Sequence, residues 1–322
     1  MGMFRYFLAF AITLVMMFLV MPRFIAYLKK KNINQVTSEY ALEEFKQKEK
    51  TPIMGGLMFV VVPSVVALLV NPNSLIDPKF LFVLLSYLLY CSVGFIDDSL
   101  VIRSHKNDGL SPKTRLLMEF GYTFILFMLF RDVIPQGVYI PFFGVNIGMH
   151  WITFFAFMTL EYMAEANAVN FTDGMDGLCA GVSFIALAAF AVLTYVKGES
   201  NILLFLVCIL AGLLGYLKFN FHPAKIFMGD SGSLALGALF ASLGVIMNLH
   251  VALFIIGGVF VAEMFCVVVQ QLSVRLFHKR VFSYTPIHYA FVIKGHSEKR
   301  VVLSFYAVEA ILALIGLYVG LH

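Results

Sequence analysis

The sequence predicts an all-α integral membrane protein with about ten transmembrane helices. Of its 322 residues, 61% are apolar and only 13% are charged, and the mean hydropathy is +0.89. Soluble domains carry about 25% charged residues, so this composition excludes an ordinary soluble enzyme. The apolar runs are continuous and do not alternate with polar residues, which favours helices over a transmembrane barrel.

Ten apolar stretches approach the length of about 20 helical residues that crossing a bilayer requires. The ninth contains Glu263, and the basic amphipathic stretch 268–282 that follows predicts a helix lying on the membrane surface. Between the fourth and fifth stretches, residues 137–148 predict a small β-hairpin. No linker or repeat divides residues 1–322, so we expect one domain. The predicted spans are 6–28, 52–70, 79–96, 115–130, 149–165, 178–196, 201–217, 233–249, 251–271 and 301–320.

Lysine and arginine are distributed unevenly between the two sides of these spans. If the chain starts outside, 19 of them lie on the inner side and four on the outer side. Positive charges concentrate in cytoplasmic loops. The sequence therefore predicts that both termini and the hairpin are extracytoplasmic and that five loops are cytoplasmic. The four outer residues are Arg5, Lys79, Arg131 and Lys197.

Three acidic motifs lie at the cytoplasmic ends of predicted spans. Asp97 and Asp98 end the third span, and Asp230 opens the eighth within FMGDSGS. The third motif, NAVNFTDGMDG, repeats a polar residue every third position, which a helix would place on one face. Its members are Asn167, Asn170, Asp173 and Asp176.

Each acidic motif also has a structural interpretation, either as a stop signal at the membrane surface or as a helix cap. A charge at the membrane centre costs about 2.5–3.5 kcal/mol, however, and all three motifs fall on one face. Carboxylate and amide oxygens suit Mg²⁺, and His288 in the last loop can bind phosphate or move protons. The combination predicts a cytoplasmic active-site face for Mg²⁺-dependent phosphoryl chemistry.

The segments NAVNFTDGMDGL, FMGDSGS, GFIDD and TPIMGG together resemble the polyprenyl-phosphate N-acetylhexosamine-1-phosphate transferase family over essentially the whole chain. TPIMGG and TPIH favour the muramoyl branch. The resemblance implies transfer of phospho-MurNAc-pentapeptide from UDP-MurNAc-pentapeptide to undecaprenyl phosphate, with release of UMP and formation of lipid I. It further implies the bacterial cytoplasmic membrane as location, Mg²⁺ as cofactor and a homodimer; no nucleic-acid partner is expected.

The resemblance also implies roles for individual residues. Asp230, with Asp173 nearby, is expected to hold Mg²⁺, and Asp97 to deprotonate or orient the lipid phosphate. Asp98 is expected to be the second carboxylate near the metal, and His288 a further catalytic group. The expected substrate-binding residues are Lys113, Asn170, Asp173, Asp176, Asn220, Phe227 and the lysine before TPIMGG, which is Lys50 or Lys48.

Two positions depart from the family pattern. TPIHHHF is usual, whereas His288 is followed here by Tyr289 and Ala290. A lysine usually stands three residues after the second aspartate, where this chain has Val101. Two alternative functions remain open from the residues, namely a UDP-N-acetylglucosamine-1-phosphate transferase and an ion-coupled transporter. Direct attack and an aspartyl intermediate also remain open.

Overall fold

The computed structural model describes residues 2–34, 51–104 and 109–322. Within these ranges the chain forms twelve α-helices and one small sheet. The helices are α1 Met3–Lys30, α2 Gly56–Val70, α3 Pro78–Ser104, α4 Pro112–Phe130, α5 Trp151–Thr172, α6 Leu178–Val196, α7 Ser200–Asn220, α8 Asp230–Met247, α9 His250–Ile256, α10 Gly258–Phe277, α11 Ile287–Ile293 and α12 Glu298–Gly320, and the strands are β1 Gly137–Ile140 and β2 Val145–Gly148.

The structure confirms the prediction of a helical membrane protein. It does not confirm the predicted number of membrane spans. Among the described residues, seven helices are long and apolar enough to cross a membrane: α1, α3, α6, α7, α8, α10 and α12. The helix α2 is apolar but has 15 residues, α4 begins with Lys113, Arg115 and Glu119, and α5 carries Glu161 and Glu165. Every predicted stretch contains a helix, while the count of ten spans and their orientation stay predictions.

The ninth predicted span differs most from the expectation. It is two helices, α9 and α10, separated at Gly257. The predicted surface helix at 268–282 is wrong, because α10 continues through position 268 and ends at Phe277. The side chain of Gln270 explains the chain reversal that follows. Its Oε1 accepts hydrogen bonds from the backbone N–H groups of Val281 and Phe282, both at 3.0 Å.

The predicted hairpin is present. Strands β1 and β2 are antiparallel, with Gly137 opposite Gly148 and Ile140 opposite Val145. The hairpin is attached to the bundle by Asn248, whose Oδ1 accepts a hydrogen bond of 2.9 Å from the backbone N–H of Tyr139. The hairpin is thus tied to the end of α8 opposite Asp230.

Helix α8 is the centre of the bundle, and every residue from Ser231 to Met247 is buried. It packs against both α3 and α5. The closeness of these contacts depends on small residues. A Cβ at Gly94 of α3 would overlap the backbone of Asp230, and a Cβ at Gly237 would overlap the backbone of Ala166 in α5. The glycine contacts therefore set how near the ends of α3, α5 and α8 come to one another.

We expect Gly94→Ala to destabilise the protein, because the added methyl group must displace the backbone of α8. Overpacking of this kind costs about 1–3 kcal/mol. The matched control is Gly121→Ala in α4, where no heavy atom lies within 4 Å of the added Cβ. There, alanine should raise the free energy of unfolding by about 0.5–1 kcal/mol. Thermal unfolding midpoints in detergent would measure both, and equal midpoints would contradict this packing.

Candidate active site at the ends of three helices

The carboxylate of Asp98 joins the end of α3 to the start of α8. Its Oδ1 accepts the backbone N–H of Asp230 at 3.0 Å, and its Oδ2 accepts that of Ser231 at 3.1 Å. A helix N-terminus has unpaired N–H groups and a partial positive charge, so it favours an anion at this position. Gly229, with φ +77°, leaves room for this carboxylate, since a Cβ there would lie 2.7 Å from Oδ2. Asp98 is 4% exposed.

Asp230 is the point at which the other elements converge. Its Oδ1 accepts a hydrogen bond of 2.9 Å from Nδ2 of Asn170 at the end of α5. Its Oδ2 lies 2.8 Å from Nη1 of Arg115 in α4. Nδ2 of Asn170 also lies 2.9 Å from Oγ of Ser233. Three helices, α4, α5 and α8, therefore meet at one carboxylate, whose side chain is 25% exposed.

Arg115 and Glu119 belong to this arrangement, and sequence reasoning missed both as site residues. Nε of Arg115 lies 3.3 Å from Oε1 of the fully buried Glu119. The other oxygen of Glu119 accepts a hydrogen bond of 3.3 Å from Nδ2 of Asn167. The spacing of four between an arginine and a glutamate on one helix was the available signal. These contacts hold the guanidinium group against Asp230.

Asp97 lies one residue before Asp98 and is only half-buried. Its Oδ1 accepts a hydrogen bond of 2.8 Å from the backbone N–H of Leu110. A Cβ at Gly109 would overlap Oδ2, so the segment before α4 passes directly over this carboxylate. Asp97 and Asp230 are near enough to interact electrostatically. The structure thus brings together the acidic motif of Asp97 and Asp98 and that of Asp230.

The polar stripe of the sequence lies only partly on a helix, which corrects the expectation of one helical face. Helix α5 ends at Thr172, so Asn167 and Asn170 are helical while Asp173 and Asp176 lie in a turn. The backbone leaves helical geometry at Asp173, with φ −81° and ψ +54°, and Gly177, which immediately precedes α6, has φ +80°, a conformation favourable for glycine. The turn directs Asp173 and Asp176 differently from the two asparagines.

Asp173 lies outside the predicted spans, and its surroundings alter its ionisation strongly. Burial and the neighbouring charges of Asp230 and Asp176 together raise the pKa of this carboxyl to about 7, although a hydrogen bond from the backbone N–H of Gly229 acts in the other direction. Like charges that are held together in this way are stabilised by a cation. The oxygen-rich donor set of Asp230, Asp173 and Asn170 fits Mg²⁺.

Asp176 belongs to a second group of ionisable side chains. Its Oδ2 lies 3.0 Å from Nδ1 of His222, which is also 3.2 Å from Oε2 of Glu298. The backbone N–H of Asp176 donates a hydrogen bond of 2.8 Å to Oε1 of Glu298. Sequence reasoning singled out neither His222 nor Glu298. Together they tie the turn to the loop before α8 and to the first residue of α12.

Asn220 joins the same turn to the loop that contains Ile226 and Phe227. Oδ1 of Asn220 accepts the N–H of Gly177 at 3.0 Å, and its Nδ2 donates to the carbonyl oxygen of Ile226 at 3.0 Å. Both ends of the buried amide are therefore engaged within the protein. The backbone N–H of Phe227 donates to the carbonyl of Pro52 at 2.8 Å, and its side chain is half-buried.

His288 is completely buried and is oriented by Glu263. Its Nδ1 lies 3.0 Å from Oε1 of Glu263, whose carboxylate also accepts the backbone N–H groups of Ile287 and His288. Nε2 has no hydrogen-bond partner among the residues described and faces Gly174, where a Cβ would overlap it. Tyr289 donates its hydroxyl to the carbonyl of Gly174 at 2.9 Å. In the sequence, Glu263 stood out only as an ionisable residue inside a predicted span. In the structure it is the hydrogen-bonding partner of His288.

Among the described residues, no contact joins a predicted substrate-binding lysine to the residues around Asp230. Lys113 is exposed in the first turn of α4. Lys50 and Lys48 lie outside the described residues, so their predicted contacts with substrate stay predictions. The assigned roles of the remaining site residues also stay predictions, although the structure gathers Asp97, Asp98, Asn170, Asp173 and Asp230 at one end of the bundle.

Comparisons with known proteins give concordant matches. A model of glycosyl transferase family 4 matches residues 80–248. A Staphylococcus saprophyticus protein named phospho-N-acetylmuramoyl-pentapeptide-transferase is 37% identical over 316 residues, covering 96% of this chain and 97% of its own. Proteins of the same name from Staphylococcus aureus strains JH9 and Newman are 38% identical over 322 residues, covering 97% of this chain and 98% of their own.

We expect Asp98→Ala to destabilise the protein more than Asp97→Ala. Each buried donor left without a partner costs about 1–3 kcal/mol, and Asp98 serves two N–H groups whereas the half-buried Asp97 serves one. Removing the repulsion between the Asp98 and Asp230 carboxylates stabilises the Asp98→Ala variant. The net decrease in its free energy of unfolding should therefore be about 1–3 kcal/mol. Thermal unfolding midpoints of the two purified variants would compare their stabilities. A larger loss for Asp97→Ala would refute the capping role.

Proposed function

The chain belongs to glycosyl transferase family 4, and on this basis we propose that it is a phospho-N-acetylmuramoyl-pentapeptide transferase. It transfers phospho-MurNAc-pentapeptide from UDP-MurNAc-pentapeptide to undecaprenyl phosphate. UMP is released and lipid I is formed for peptidoglycan biosynthesis. The observation that carries this conclusion is the 37–38% identity to proteins of that name over nearly the full length of both chains.

Asp230 and Asp173 are the proposed ligands of Mg²⁺. The support is the excess of carboxylate charge around Asp230, against which Arg115 is the single cation in direct contact among the residues described. When bound, Mg²⁺ would neutralise charge on the diphosphate oxygens, which is the main demand of phosphoryl transfer. Arg115 and Asn170 already hold both oxygens of Asp230, so its carboxylate is oriented before substrate binds.

Asp97 is the proposed partner of the lipid phosphate. It is more exposed than Asp98, and its remaining oxygen is available to accept a proton or to orient the incoming phosphate. By contrast, both carboxylate oxygens of Asp98 accept hydrogen bonds from backbone N–H groups at the start of α8. We favour direct attack by the lipid phosphate, because a phosphate monoester dianion is already nucleophilic and needs no protein nucleophile. One phosphoanhydride replaces another, so the reaction should be readily reversible.

The turn after α5 is the proposed site for the UDP end of the donor. Asp173 and Asp176 belong to this turn, and Asn220 bonds it to the loop that contains Phe227. We assign Lys113 and Lys50 to the phosphates on the basis of the resemblance alone. His288 points Nε2 towards the same turn, where it can accept a proton or a hydrogen bond from substrate.

The two substrates also define where the reaction occurs. The nucleotide is aqueous and the acceptor is anchored in the bilayer, so the active site must lie at an interface. We propose that it faces the cytoplasm of a bacterium, with both termini outside, and that the chain has ten spans. The lipid tail would leave the site beside the broken ninth span, α9 and α10. The family resemblance alone supports a homodimer.

Asp97→Asn and Asp230→Asn should each abolish lipid product, a loss of at least about 100-fold, without unfolding the protein. The carboxylate charge is needed at both positions, whereas the amide preserves size. Asp132→Asn is the control, because this exposed aspartate lies beyond the other end of α4. Near-normal turnover in either site variant would overturn the assignment. A phosphoaspartate trapped in a single turnover would overturn direct attack.

Exchange of radiolabel between UMP and UDP-MurNAc-pentapeptide should require both Mg²⁺ and undecaprenyl phosphate. A direct transfer exchanges UMP only through the lipid product, so omitting the lipid should stop the exchange. A transporter would give no exchange under any condition. Competition between the two UDP-sugars separates the muramoyl transferase from an N-acetylglucosamine-1-phosphate transferase, and preference for UDP-N-acetylglucosamine would refute the proposal.

A further inference from the structure

The hairpin of β1 and β2 has two faces of different chemistry. Side chains alternate between the two faces of a strand, so the register decides which residues share a face. One face of the hairpin therefore carries four aliphatic side chains, and the other carries a tyrosine and an asparagine. The register pairs Val138 with Ile147, Tyr139 with Asn146, and Ile140 with Val145.

The polar face of the hairpin is bonded to the protein. The Tyr139 hydroxyl donates a hydrogen bond of 3.0 Å to the carbonyl oxygen of His322. Oδ1 of Asn146 accepts a hydrogen bond of 3.2 Å from Nδ2 of Asn248. Both polar side chains of this face therefore contact residues that directly follow α12 and α8.

The aliphatic face and the tip of the hairpin are open to the surroundings. Val145 and Ile147 are 50% and 51% exposed, and Phe142 and Phe143, which connect the strands, are 60% and 79% exposed. An antiparallel sheet with one face in water normally packs its apolar face on the core and exposes its polar face. This hairpin has the reverse arrangement, so its outer surface suits an apolar medium better than water.

The exposed surface of the hairpin is continuous with that of α12, a helix long and apolar enough to cross a membrane. The Phe142 ring packs against the ring of Tyr318 in α12, with centroids 5.9 Å apart. Tyr318 and Leu314, one turn earlier, are themselves exposed. Exposed apolar side chains on a helix that crosses a bilayer contact lipid. The hairpin thus extends the lipid-facing surface of α12.

We propose that the hairpin is an interaction surface for the lipid bilayer, with Phe142, Phe143, Val145 and Ile147 inserted among the lipids at the end of the bundle opposite Asp230. A second copy of the chain is a poorer occupant, because stable protein interfaces use about 20–30 residues a side and this face and its tip offer six. The hairpin contains none of the residues assigned to phosphoryl transfer. The proposal is therefore independent of the transferase assignment.

Tryptophan fluorescence tests the insertion directly, because the chain has a single native tryptophan, Trp151. In a Trp151→Phe background, Phe143→Trp should be quenched at least about twofold when the full-length protein is placed in nanodiscs of phosphatidylcholine with brominated acyl chains, since lipid removes the side chain from water. Aqueous acrylamide should quench it weakly.

Asp132→Trp in the same background is the matched control, because Asp132 is exposed in the turn after α4 at the same end of the bundle. It should show the opposite pattern, with strong quenching by acrylamide and weak quenching by bromine. Equal acrylamide quenching at the two positions, without an effect of bromine at position 143, would overturn the proposal.

Val145→Cys tests the aliphatic face without changing the tip, and it decides the question if the tryptophan variants do not fold. The four native cysteines are buried, so an introduced thiol can be followed separately. In nanodiscs, a charged thiosulfonate reagent should modify Val145→Cys at least about tenfold more slowly than Asp132→Cys, because lipid excludes the reagent. Similar rates would refute the insertion. Efficient disulfide crosslinking of Val145→Cys to itself in lipid-diluted vesicles would also refute it, by showing that a second copy covers this face.

Discussion

The contact between the Asp98 carboxylate and the first N–H groups of α8 is the interaction on which the rest of the site depends. It joins the end of one predicted span to the beginning of another by two hydrogen bonds, in a position that is almost fully buried. A helix N-terminus without such a partner would leave donors unsatisfied. Because Asp97 precedes Asp98 in the chain and Asp230 is itself one of the two donors, the contact also restricts the separation of Asp97 and Asp230.

The remaining contacts restrain Asp230 from the other sides. Asn170 from α5 holds one oxygen and Arg115 from α4 holds the other, while Glu119 and Asn167 hold Arg115 in place. Such bracing reduces the reorganisation needed when a charged substrate binds, which favours electrostatic stabilisation of a developing charge. The Asp230 carboxylate is therefore held in one orientation by contacts from two neighbouring helices.

The turn after α5 is held by the last part of the chain. Glu298 and Tyr306 of α12 bond to Asp176 and Gly177, at 2.8 Å and 2.6 Å respectively, and Tyr289 of α11 bonds to Gly174. The loop that follows α10 thus reaches back to a turn more than 100 residues earlier. Tyr289, which stands where the family usually has a histidine, has a definite role in this structure as a donor to that turn.

The sequence by itself determined the membrane class, the helical content, the hairpin and the three acidic motifs, because each depends on local composition or on spacing along the chain. It placed Asp97, Asn170, Asp173 and Asp230 on one face. It misjudged the stripe, since α5 ends at Thr172 and a turn follows, and it misjudged 268–282, since Gln270 organises the chain reversal. Only the tertiary structure revealed the capping role of Asp98, the brace of Arg115 and Glu119, and the pairing of Glu263 with His288. These depend on contacts between residues distant in the chain, where spacing carries no information and the packing of glycine against backbone decides which side chains meet.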